Sequence, residues 1–145
     1  MNTQVVLIAT TNMYGTLDKA MIRRFDSVID FGRYTRDDLL EVATTLLNVH
    51  LAKFRFAGKD VRLFNKIMRL MDEVLYPAEL SNLIKTAIAF SNPGEPFDYM
   101  RRLYKAATGN VVPDAKSLRE QGFSMREIET LTGTPISTLS RELKG

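Results

Sequence analysis

The pattern of apolar and polar positions changes period along the chain. From Gln4 to Ala9, apolar and β-branched residues fall on both faces of an extended segment, which predicts a strand buried on both sides. A second β-like run spans Ser27 to Phe31. Between them Thr16 is placed to cap a short helix over Leu17 to Arg24, with Asp18 near its positive end. From Thr35 the period becomes helical: Leu39, Val42, Ala43, Leu46, Leu47 and Leu51 share one face, behind a first turn carrying Asp37 and Asp38. The stretch from Phe56 to Asp60 interrupts it. Leu63, Phe64, Ile67, Met68, Met71, Val74 and Leu75 then form a second apolar stripe. Pro77 ends that stripe or opens the next, in which Leu80, Leu83, Ile84, Ala87 and Ile88 follow the helical period until Ser91 to Gly94 breaks it. A fourth uses Phe97, Met100, Leu103, Tyr104 and Ala107 and ends near Gly109. Four amphipathic helices with short connections predict a small helical domain.

Gly109 to Asp114 reads as a linker. Beyond it, Asp114 caps a helix to Gln121 that Gly122 stops, and Ser124 caps another from Met125 to Leu131. A turn at Gly133, Thr134 and Pro135 leads to a final helix through Leu143. The expected fold is mainly α, in three segments: 1–33, two strands and a short helix; 34–109, four helices; 110–145, three short helices.

Composition narrows the chemistry. The chain has 145 residues, 45% of them hydrophobic and 26% charged, a balance suited to folding in water. It has no Cys and only His50, so disulfides, thiolate chemistry and a multi-histidine metal site are excluded. The apolar run from Val5 to Ala9 is far shorter than a membrane span, and no basic stretch precedes a hydrophobic one at the N-terminus. A cytoplasmic location is the expectation. The net charge of +3 points to an anionic partner only where cations cluster.

The string from Val5 to Asn12, then Leu17 and Asp18, then Ala20 to Asp26 and an apolar run, resembles the later part of the ATPase core of the AAA+ family. The resemblance implies that Asn12 is the first sensor, which positions the water attacking the γ-phosphate of ATP. It also implies that Arg23 and Arg24 are arginine fingers reaching a neighbouring subunit's nucleotide. A guanidinium suits that task, because phosphoryl transfer spreads negative charge over oxygens that its fork of donors can meet. Read without the resemblance, Asn12 is a turn residue after a strand, and the two arginines are a solvated helix end. Positions 13, 14 and 34 are Met13, Tyr14 and Tyr34, where the family often has Arg, Pro and Pro.

The four-helix segment then corresponds to the AAA+ lid. Pro77 to Ile84 resembles the lid helix of the branch without a lid arginine, and no arginine falls between Pro77 and Phe90. The sequence has no G-x-x-x-x-G-K-[ST] loop. Arg69 interrupts the apolar run before Asp72 and Glu73 and the periodicity there is helical, so the two acids read as solvated helix residues, not as magnesium ligands. ATP and Mg2+ are therefore expected only in a complete assembly, with other AAA+ subunits in a homo-oligomeric ring or with a half that bears the phosphate loop. The 1–33 segment alone would leave unpaired strand edges and exposed apolar surface. His50 is expected at a helix edge without special role, and Met68, Met71 and Met100 as core fillers.

The string from Leu118 to Leu143 resembles the helix-turn-helix of resolvases and many small bacterial regulators. Ser124 and Glu127 make a capping box and Gly133 supplies the turn. Ile128, Leu131, Ile136, Leu139 and Leu143 form the small core. Ser137, Thr138, Ser140, Arg141 and Lys144 are then the candidate DNA-binding residues of the second helix, which the motif places in the major groove. Residues 110–145 balance Lys116, Arg119, Arg126, Arg141 and Lys144 against Asp114, Glu120, Glu127, Glu129 and Glu142. A neutral module needs multivalency for DNA affinity, and a three-helix domain that meets protein is the other reading. The sequence thus points to the C-terminal portion of an AAA+ ATPase acting on DNA. A non-hydrolysing regulatory subunit and a DNA-binding or protein-interaction adaptor are the alternatives.

Overall fold

In the computed structural model, residues 5–73 and 75–144 are described, so Gln4 of the first run, Val74 of the second stripe and Gly145 of the last segment lie outside them. The chain divides into two compact units, Met1–Arg33 and Tyr34–Gly145.

The first unit corrects the expected strands. None of its described residues is in a strand, and none is buried. Val6 and Ile8 are each 84% exposed, and Ile29 and Phe31 are exposed as well. The reason is physical: a strand apolar on both faces is stable only between neighbouring strands and covering layers, and no described residue supplies them. The short helix is also smaller than expected. A 3-10 turn at Tyr14–Thr16 precedes α1, Lys19–Ile22. Asp18, not Thr16, caps α1, accepting from Ala20 N at 2.9 Å, while the Thr16 hydroxyl donates to Met13 O. Asp30 closes the unit by accepting from Gly32 N at 2.8 Å.

The second unit contains seven helices among its described residues. They are α2 (Arg36–Lys53), α3 (Val61–Met68), α4 (Pro77–Ala89), α5 (Asp98–Thr108), α6 (Ala115–Glu120), α7 (Met125–Thr132) and α8 (Ile136–Glu142). Thr35 and Asp38 form a reciprocal capping box at the start of α2. Asp60, Asp114 and Ser124 cap α3, α6 and α7 through side-chain oxygens. The second stripe is cut short at Met68. The last carbonyls of α3 are met by the amides of Arg69, Leu70 and Met71, and the Arg36 guanidinium donates to Arg69 O and Met71 O at 2.7 and 2.6 Å, tying the turn after α3 to the start of α2.

The most extensive packing sets α2 on α4, with α3 and α4 both against α5. One apolar core runs from Leu39 through Leu47, Phe64, Ile84, Tyr99 and Leu103 to Leu118, Phe123, Ile128 and Leu139, so it includes all three terminal helices. Polar bridges follow the same route. Tyr104 donates to Gln121 Oε1 at 2.8 Å, and Arg101 Nε donates to Leu131 O at 3.0 Å. Lys66 Nζ on α3 donates to Gly122 O at 2.9 Å and pairs with Glu127 Oε2 at 2.7 Å. Glu127 also accepts from Ser124 N at 2.7 Å. Burial alone would raise the Glu127 carboxyl, but its bonds from Lys66 and Ser124 outweigh that and hold it below the ordinary glutamate range.

Removing one partner of this pair strands a charge in a place where water cannot fully solvate it. Lys66→Met should therefore destabilise the fold by about 1–3 kcal/mol in urea unfolding. Lys66→Met with Glu127→Gln should recover part of that loss; a double variant as unstable as the sum of the singles would refute the coupling.

Candidate nucleic-acid interface

The helix-turn-helix residues are built from the turn outward. Gly133 has φ of 74°, a left-handed conformation that closes α7 and turns the chain, which a β-carbon would strain. Glu129 Oε1 then accepts from Ile136 N at 3.2 Å, supplying the missing side-chain cap of α8. Leu139 is buried, with Ile136 and Leu143 half-buried beside it. The helical period puts Ser137, Arg141 and Lys144 on the opposite face, and all three are exposed. Thr138 and Ser140 flank that face and are half-buried. Neither Arg141 nor Lys144 is in an ion pair among the described residues.

The candidate nucleotide residues have a different setting. Asn12 is exposed at a bend, and Arg23 and Arg24 are exposed immediately after α1. No described residue of that unit is buried. These side chains alone make no cradle for a triphosphate, and no set of three His, Asp or Glu that could hold a metal occurs among the described residues. Asp72 and Glu73 are exposed, as expected, but lie in bends after α3 and not in a helix, because α3 ends at Met68.

Several side chains matter that sequence reasoning passed over. His50 is buried, not at an exposed edge, and its Nε2 lies 3.1 Å from Ser81 Oγ across the α2–α4 interface. Arg101 binds Leu131 O and pairs with Glu95 and Asp98 beside an open cleft of about 530 Å3 that Asp114, Thr134 and Glu142 also line. Glu127, the partner of Lys66, and Leu131 O, which Arg101 meets, are about sixty and thirty residues away in sequence, so no local pattern marks either contact. No helix of the described residues is long and apolar enough to cross a membrane. No family model, curated protein or solved structure matches the chain.

Burial first, then repulsion from Lys53 and Lys85, holds the His50 imidazole below its ordinary value of 6.5. The unfolded chain consequently takes up that proton first as pH falls. The stability His50 contributes is full above the unfolded value and declines as pH drops through the folded one. Thermal melting should shift downward on acidification from about pH 7 to about pH 5.5, and His50→Gln should lessen the shift. An unchanged pH dependence in that variant would assign the effect elsewhere.

Proposed function

We propose that this chain is the C-terminal portion of an AAA+ ATPase acting on DNA, with 34–109 as its lid and 110–145 as a DNA-reading tail. The observation that carries the DNA half is the α6–α8 arrangement. A capped helix, a left-handed glycine turn and a second helix present Ser137, Arg141 and Lys144 opposite their own core. The ATPase half rests on the composite run from Val5 to Phe31. The exposed apolar residues of that run are consistent with a sheet completed by strands that this sequence does not contain. In this reading Asn12, Arg23 and Arg24 act only in an assembled ring, the arginines stabilising charge on a nucleotide held by a neighbouring subunit. The neutral charge of residues 110–145 favours a second reading, in which the three-helix module meets protein.

Two measurements separate these possibilities. Arg141→Ala should cost about 1–3 kcal/mol of duplex affinity in a mobility-shift titration. Absent or salt-independent binding by the unaltered chain would remove the nucleic-acid reading. With a subunit that carries the phosphate loop, ATP turnover stimulated by this chain should fall by roughly a thousandfold on Arg24→Ala. Equal turnover would remove the arginine-finger assignment.

A further inference from the structure

The positive charge is concentrated away from α8. Lys53, Arg55, Lys59 and Arg62 fall within ten residues at the end of α2 and the start of α3, and all four are exposed. The one carboxylate in that stretch, Asp60, is half-buried and accepts from Leu63 N at 2.9 Å as the cap of α3. None of the four cations forms an ion pair among the described residues. Phe54 and Phe56 alternate with them and pack against the core, their rings edge to face at 6.1 Å, so that what the loop offers outward is charge. Lys85 on α4 is exposed at the same end, where it and Lys53 both act on His50.

The loop is also held in place. Gly58 N donates to Pro96 O and Tyr99 donates to Gly58 O, each at 2.8 Å. Gly58 sits so close to Phe97 that a β-carbon would lie 2.6 Å from the ring. A rigid cationic surface loses little conformational entropy on binding. Its position is equally informative. Arg62 is one helical turn from Lys66, and Lys66 grips Gly122 O and Glu127 of the three-helix module.

We propose that Lys53, Arg55, Lys59 and Arg62 form a second contact surface for duplex DNA, gripping the phosphate backbone while α8 reads the groove. The inference rests on the DNA reading of α6–α8 and answers the difficulty that reading leaves. The module carries five cations and five anions, and phosphate neutralisation supplies most non-specific affinity, so the electrostatic grip must come from elsewhere on the same body. A phosphate backbone fits this loop better than an acidic protein does. Protein interfaces centre on apolar or aromatic anchors, and both phenylalanines here are turned inward.

The test uses the full chain and a fluorescent random-sequence duplex, with anisotropy read over roughly 50 to 200 mM salt. Combining Lys53→Gln, Arg55→Gln, Lys59→Gln and Arg62→Gln should weaken binding about tenfold or more at low salt. It should also flatten the slope of log affinity against log salt by about 2 to 4, with the helical circular dichroism unchanged. Lys53→Arg with Lys59→Arg should keep the slope. If the glutamine variant binds like the original while Ser137→Ala with Arg141→Ala loses affinity, the loop proposal is overturned and the reading of α8 stands. If the glutamine variant loses binding and the α8 variant does not, the loop proposal stands and the reading of α8 falls. No binding by the unaltered chain overturns both. Polyglutamate competing as well as unlabelled duplex at equal charge assigns the loop to an acidic protein and overturns it as well.

Discussion

The second unit depends on one buried carboxylate. Glu127 accepts from Ser124 N, which fixes the first turn of α7, and from Lys66, which fixes α7 to α3. The two tasks reinforce one another. A carboxylate at a helix N-terminus is stabilised by the free amides there, and an ammonium at 2.7 Å offsets the cost of removing it from water. Lys66 completes the junction by donating to Gly122 O and lying 5.6 Å from the centre of the Phe123 ring. With α7 fixed, Gly133 and the buried Leu139 set α8, so the direction of Ser137, Arg141 and Lys144 is inherited from a contact on α3.

The first unit shows the opposite condition. Its residues from Val5 to Ile8 have the composition of an interior strand, yet they are exposed, and the only regular elements among the unit's described residues are a 3-10 turn and a one-turn helix. Strand formation is a non-local bargain in which hydrogen bonds and burial come from other strands. A helix satisfies its own backbone, so α2 needs only a covering face. The same chain therefore carries a locally determined unit and a shorter one whose exposed apolar residues no described residue covers.

That contrast also explains what the sequence disclosed. The caps at Thr35, Asp114 and Ser124, the stop at Gly109 and the turn at Gly133 are local events with short-range chemical causes, and residue order places them to within a residue or two. The helical stripes marked Leu39, Leu47, Phe64, Leu80 and Ile84 as interior, where they are. What residue order did not carry was any contact between distant segments. Arg36 ties down the turn after α3 from thirty-three residues away, and His50 is buried because Ser81 and α4 come to cover it. The exposed face of α8 followed from period alone, whereas the rigid loop at Lys53 to Arg62 becomes visible only when Pro96, Phe97 and Tyr99 are seen to hold Gly58.

These facts constrain how the proposed activity would operate. If residues 34–109 are a lid that shifts with nucleotide state, a DNA reader on a long tether would be indifferent to that shift, because a flexible chain transmits little displacement. The terminal helices here are not tethered. They share a core with α2 to α5 and are joined to it through Lys66, Tyr104 and Arg101. A rotation of the four helices would carry α8 and the cationic loop with it, and both would strain the same duplex. In the proposed reading, then, force passes from nucleotide to DNA through packed side chains and one half-buried ion pair, and weakening Lys66 with Glu127 would loosen the transmission before it touched either binding surface.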